Sequence, residues 1–185
     1  MPQIKTDKEC ILKNAIHLFK VHGYYKTSIA DISKACGLVK GSLYHHFKGK
    51  QEIGLACLKY LHSHFNETVF IHAYDTSLTN KEQLHKLASE VEEYFLNSEG
   101  GCLWGNWALE VINDIPEFKL EIQACFKSWE DAIFSIIKSN YAHIEAREIA
   151  KKTIANTQGA LMMMRLYDDT DIFLKCIKNT QDLLS

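Results

Sequence analysis

A chain of 185 residues, 46% hydrophobic and 24% charged, has the make-up of a folded globular protein, either one large domain or a small domain joined to a medium one. No apolar run approaches the roughly 18 residues of a membrane span, and the charged start MPQIKTDKEC lacks the apolar centre of a signal peptide, so a cytoplasmic, microbial protein without a membrane partner is expected. The net charge of −2 hides an asymmetry: residues 1–50 carry nine lysines against Asp7, Glu9 and Asp31, which leaves them at +6 and the remainder at −8. Such a basic end suits either a polyanionic partner or a solvated lysine face.

Six cysteines (Cys10, Cys36, Cys57, Cys102, Cys125 and Cys176) lie scattered with no C-x-x-C pair. Neither a disulfide framework nor a structural metal site has that spacing, so reduced, mostly buried thiols are expected, with no metal and no cofactor.

Helical spacing recurs along the chain, and strand-like alternation is absent. In DKECILKNAIHLFKVHG, Leu12, Ala15, Ile16 and Phe19 share a face, and Gly23 supplies a stop. TSIADISKACG opens with Ser28 and, three residues on, Asp31, a pairing that resembles a capping box. It directs Ile29, Ile32 and Ala35 inward and ends at Gly37. KGSLYHHF forms a third, short helix. A longer helix over Lys50 to Ala73 follows, with Ile53, Cys57, Leu61, Phe65 and Val69 at steps of four, and YDTSLTN breaks it. Further helices are predicted at about 80–97, 103–113, 117–141, 146–165 and 170–184. The expected fold is all-α: residues 1–49 form a small three-helix domain, and residues 50–185 a larger helical domain.

The stretch KGSLYHHFKGK, Lys40 to Lys50, carries the chemistry. At about 100° per residue, His45 and His46 point apart, which argues against joint metal chelation. No nucleophile or carboxylate stands nearby in sequence to make a catalytic pair, so the chain is not read as an enzyme. Residues 28–47 have helix-turn-helix proportions, a unit that sets its second helix in the major groove. Ser42, Tyr44 and His46 suit phosphate oxygens, and Gly41 allows close backbone approach. Lys40 can reach a guanine edge and His45 a base or thymine methyl, while Lys48 and Lys50 suit phosphates. Leu43 and Phe47 become the inward anchors.

Ile11 through Ile53 resembles the DNA-binding domain of the tetracycline-repressor (TetR) family of bacterial regulators. The matching motifs are A-x-x-L-F-x-x-x-G-[YF] (Ala15 to Tyr24), T-[ST]-[IV]-x-x-[IV] (Thr27 to Ile32), A-x-G (Ala35 to Gly37) and G-[ST]-L-Y-x-[HY]-F-x-x-K (Gly41 to Lys50). Val39 departs from the small polar residue more frequent there. The resemblance implies phosphate contacts from Thr27, Ser42, Tyr44, His46 and Lys50, and base-edge contacts from Lys40, Gly41 and His45. It implies a homodimer on a near-palindromic double-stranded DNA operator, with recognition helices about 34–36 Å apart, and a C-terminal body that binds a small-molecule effector and dimerises.

GGCLWGNWALE, Gly100 to Glu110, is similar to a glycine–cysteine–leucine motif in one subset of that family. Phe95, Cys102, Trp104, Trp107, Trp129, Met162 and Met163 are the expected effector-lining residues, since aromatic and methionine side chains suit an adaptable apolar pocket and equally suit a plain core. Ile149, Thr153, Thr157, Ala160, Leu161, Met164, Phe173 and Ile177 on the last two helices are the expected dimer face. The expected function is a ligand-responsive repressor, with an activator on the same scaffold left open. An enzyme built on Cys102 and a helical protein-interaction module are the rival readings.

Overall fold

The computed structural model describes residues 8–185, and among them only helices and their connections occur. The nine α-helices are α1 (Lys8–His22), α2 (Ile29–Ala35), α3 (Lys40–Tyr44), α4 (Lys50–Thr68), α5 (Asn80–Leu96), α6 (Leu103–Glu110), α7 (Pro116–Ile137), α8 (His143–Tyr167) and α9 (Thr170–Gln181). Two 3-10 turns, Phe70–Tyr74 and Asp182–Leu184, complete them. None of these helices is long and apolar enough to cross a membrane. Asp7, where the first helix was expected to begin, lies outside the described residues.

The chain divides into two compact units: one runs to Leu61 and takes in Leu103–Ile122, and the other comprises His62–Cys102 and Gln123–Ser185. In the first, the apolar stripe of α1 (Ile11, Leu12, Ala15, Ile16, Phe19) is buried, as are Ile32 of α2, Leu43 and Phe47 around α3, and Ile53, Cys57, Leu58 and Leu61 of α4. Burial pushes the Cys57 thiol well above its ordinary range, so it behaves as a small apolar side chain. Gly23 ends α1 at φ +84, a left-handed conformation that costs glycine nothing. Ser28 and Asp31 form the expected capping box: the Ser28 hydroxyl accepts from the Asp31 N–H, and the Asp31 carboxylate accepts from the Ser28 N–H at 2.8 Å. Ala35 is exposed, contrary to expectation, and Ser33 takes the inward place because its hydroxyl donates to the Ile29 carbonyl at 2.8 Å.

In the second unit, the continuation of α4 buries Phe65, and the 3-10 turn that follows buries Phe70. The ladder Phe95–Phe65–Phe70–Trp129, with centroids 6.2, 5.7 and 6.1 Å apart, packs α5 and α7 around them. Thr79 and Glu82 cap α5 reciprocally. Arg147 of α8 reaches Glu130 of α7 at 3.1 Å and lies 3.7 Å over the Phe134 ring, which fixes the α7–α8 pair.

Candidate nucleic-acid interface

The extended Val39 opens α3, and hydrogen bonds from the His46 and Phe47 amides to the Leu43 carbonyl carry the helical path past Tyr44. Leu43 (0% exposed) and Phe47 (2%) fasten this segment to the unit's core, and the Lys8 ammonium lies 4.9 Å over the Phe47 ring. With those two anchors inward, Lys40, Gly41, Tyr44, His45, His46 and Lys48 are all exposed and Ser42 is half-buried. A side chain at Gly41 would meet nothing within 4 Å. Six exposed residues within nine positions therefore present hydroxyl, imidazole and ammonium groups, with an open backbone approach at the glycine.

Two expected contacts sit differently. Thr27 is 1% exposed, and its hydroxyl donates to the carbonyls of Gly23 (2.8 Å) and Leu18 (3.3 Å), so it braces the turn between α1 and α2. The exposed hydroxyl at that helix start belongs to Ser28. Lys50 donates to the Tyr24 carbonyl at 3.0 Å and lies 4.3 Å over the Tyr24 ring. Burial there pulls its ammonium below the ordinary lysine range, against an opposing pull from Glu110.

The same turn receives two acidic residues that the sequence reading did not single out. Glu110, the last residue of α6, accepts the Tyr24 and Tyr25 amides, and Asp114 accepts the Tyr25 hydroxyl. That hydrogen bond pushes the Tyr25 phenol up to about 12. No short-range pattern marks these carboxylates, because their partners stand 85 to 89 positions away.

The expected effector residues fall in both units. In the first, Trp104 is buried, and Trp107 stacks on Phe118 (centroids 4.9 Å, planes 8° apart) with Phe19 and Tyr24 edge-on at 5.0 and 5.3 Å. In the second, Phe95, Cys102 and Trp129 are buried, while Met162 is 60% exposed and Met163 lines a groove between α8 and α9. Met162 and Met163 thus stand apart from the aromatic ladder, because the stripe of α8 that enters the core runs through Ala150, Ile154, Thr157 and Leu161. The buried Trp107 indole N–H in the first unit and the buried Gln158 amide nitrogen in the second find no acceptor among the described residues.

Of the expected dimer residues, Thr157, Leu161, Phe173 and Ile177 are covered within the protomer by the packing of α8, α9 and α5. Ile149, Thr153 and Ala160 line the groove of about 640 Å³ between α8 and α9, together with Ala155, Gly159, Met163 and Cys176. Met164 is half-buried. Among the described residues, no cluster of three or more His, Cys, Asp or Glu is arranged to hold a metal ion.

The family model for bacterial regulatory proteins of the tetR family matches residues 11–57, and that for the C-terminal domain of LmrA/YxaF-like transcriptional regulators matches residues 80–179. The chain is 29% identical to the HTH-type transcriptional regulator YxaF of Bacillus subtilis over 84% of its own length and 83% of the relative's. It is 25% identical to the HTH-type transcriptional repressor DhaR of Mycobacterium sp. (strain GP1), over 86% and 82%. The crystal structure of a TetR transcriptional regulator from Legionella pneumophila superposes with a TM-score of 0.89 at 23% identity, over 99% of this chain and 100% of that one.

Proposed function

Since the chain belongs to the tetR family of bacterial regulatory proteins, whose members are DNA-binding transcriptional regulators and not enzymes, we propose that it is a homodimeric, ligand-responsive repressor released from a near-palindromic operator by a small molecule. The observation that carries the reading is the exposed row Lys40, Gly41, Tyr44, His45, His46 and Lys48, held outward by the buried Leu43 and Phe47. Tyr44, His46 and the partly covered Ser42 hydroxyl address phosphates and set register, whereas Lys40 and His45 address base edges. Thr27 and Lys50 act behind them, as braces of the turn that delivers α2.

Support for repression comes from DhaR, itself named a repressor. Support for a dimer comes from the α8–α9 groove, whose small residues Ala155, Gly159 and Ala160 leave room for a second copy's helices. For the effector, a buried donor without an acceptor costs about 1–3 kcal/mol, and a ligand carbonyl or hydroxyl at Gln158 or Trp107 would relieve that cost. Such a ligand weakens operator binding only to the extent that it prefers the protein conformation whose two recognition helices no longer match the groove spacing.

A mobility-shift titration with duplex DNA from upstream of the protein's own gene tests the reading. Binding at low salt that falls steeply as salt rises is expected, because each neutralised phosphate releases counterions and contributes a slope of about −0.9 in the log–log plot. A protein that leaves this DNA unshifted at low salt, or binds it with no salt dependence, overturns the proposal.

A further inference from the structure

We infer that Glu110 is a positioning residue for DNA binding: its carboxylate ties α6 to the turn from which the helix-turn-helix departs. The inference rests on the DNA-binding reading above. Glu110 Oε2 accepts the Tyr24 amide at 3.0 Å, and Oε1 accepts the Tyr25 amide at 3.1 Å. Both amides follow directly on Gly23, whose own N–H makes the closing bond of α1 to the Phe19 carbonyl. The two N–H groups beyond it have left the helical path, and one side chain from 85 to 86 positions away takes both.

Glycine at position 23 serves this approach twice. Its φ of +84 suits a residue without a side chain, and a Cβ there would stand 3.0 to 3.3 Å from the Glu110 carboxylate. From the opposite side, Lys50 donates to the Tyr24 carbonyl at 3.0 Å, and Asp114 accepts the Tyr25 hydroxyl. A three-residue turn is thus gripped by α4, by the last residue of α6 and by the segment after it.

The grip passes to the DNA-facing surface through short links. The Thr27 hydroxyl donates to the Gly23 carbonyl at 2.8 Å, Ser28 caps α2 next door, and α3 packs on α2. Displacing the turn therefore displaces the row that begins at Lys40.

Stability alone does not require both bonds. Tyr25 is 53% exposed, so water could satisfy its amide at small cost, whereas Tyr24 is 5% exposed and its amide takes Glu110 as acceptor. A carboxylate with both oxygens engaged adds orientation: it sets α6 at one register against the turn, through two charge-assisted bonds that must form or break together.

The test uses the full-length protein and two duplexes, the operator protected upstream of its own gene and the same sequence cut at its symmetry centre to leave one half. Glu110→Ala is expected to weaken binding to the whole operator about tenfold, a usual size for coupling between sites. Binding to the half operator should stay within about twofold of wild type, since one recognition helix needs no fixed spacing. Glu110→Gln, which retains one acceptor, should fall between, and Gly23→Ala, which pushes the carboxylate away, should behave like Glu110→Ala. Amide exchange at Tyr24 and Tyr25 should quicken in Glu110→Ala. Equal loss on both duplexes, accompanied by a lowered unfolding temperature, would show a merely structural role and overturn the inference, as would an unchanged affinity for the whole operator. Wild-type protein that binds neither duplex would overturn the DNA-binding reading itself, even if the Tyr24 and Tyr25 amides still responded to Glu110.

Discussion

At Tyr44, more than half of the residue faces solvent, so removing its hydroxyl should leave the fold untouched. Tyr44→Phe is expected to weaken operator and random duplex alike, by roughly 1 kcal/mol for one lost phosphate bond. Lys40→Ala should cost about 1–3 kcal/mol on the operator and relax preference at one base pair, the mark of a base-edge contact. Anisotropy titrations against both duplexes separate the two outcomes. Gly54 makes the opposite case, a residue whose lack of a side chain is structural. A Cβ on it would lie 2.6 Å from Phe118 Cζ and 3.2 Å from the Trp107 ring. Alanine would add about 0.5–1 kcal/mol of helix preference, yet crowding an interlocked aromatic stack costs about 1–3 kcal/mol. Crowding should win, because Trp107 and Phe118 are fixed face to face at 4.9 Å and cannot swing aside cheaply. Gly54→Ala should therefore lower the urea midpoint, and a raised midpoint would show that the stack yields.

Among the elements, α2 is the one whose start and stop are both written locally. Ser28→Ala should cost about 1 kcal/mol by removing the acceptor for the Asp31 amide. The Ser28 hydroxyl and amide hold the Asp31 carboxyl below its ordinary value of 3.8. A depressed carboxylate stabilises the fold above its unfolded-state pKa and loses that contribution as pH falls through the folded-state value. The stability gap between wild type and Ser28→Ala should thus be full at neutral pH and narrow below about pH 3.8, which chemical denaturation at stepped pH would reveal. This cap is legible because its two partners stand three residues apart; T-x-x-E at Thr79–Glu82 carries the same signal in front of α5, where the YDTSLTN break hands over to the next helix. Periodicity likewise exposed the buried row Ile53, Cys57, Leu61, Phe65 and Val69. It carried the long helix too far, since α4 ends at Thr68 and the chain tightens into a 3-10 turn at Phe70–Tyr74 that buries Phe70 and Ala73 with the same apolar spacing. Glu110 left no trace of this kind. A contact between a helix end and a turn some 85 residues earlier has no period and no motif, only a fold to bring it together.

For the molecule as a whole, the proposed pairing with a second copy depends on which stripe of α8 its own body leaves uncovered. Small and apolar residues recur on more than one side of this 25-residue helix, so their spacing did not say which side its own body would cover. The body covers Ala150, Ile154, Thr157 and Leu161, and leaves Lys152, Ala155, Asn156, Gly159 and Met163 on the groove toward α9, a mixed set that no hydrophobic period would select. Gly159 discriminates between a free surface and a covered one. A side chain built there meets nothing within 4 Å in the protomer, so Gly159→Phe should fold with an unfolding temperature close to wild type or slightly above it, helped by about 0.5 kcal/mol or less of helix preference over glycine. If the groove seats the helices of a second copy, the ring would fill the space they need, and overpacking of an interface costs about 1–3 kcal/mol on each symmetric side. Sedimentation at micromolar concentration should then shift toward a single 21.2 kDa chain. Binding to the two-half operator should fall to the level of the half operator, because one head on one half-site loses the linkage that two heads share. A Gly159→Phe protein that sediments as wild type and retains full operator affinity would move the assembly surface off this groove and leave the DNA-facing row to be brought together by another face.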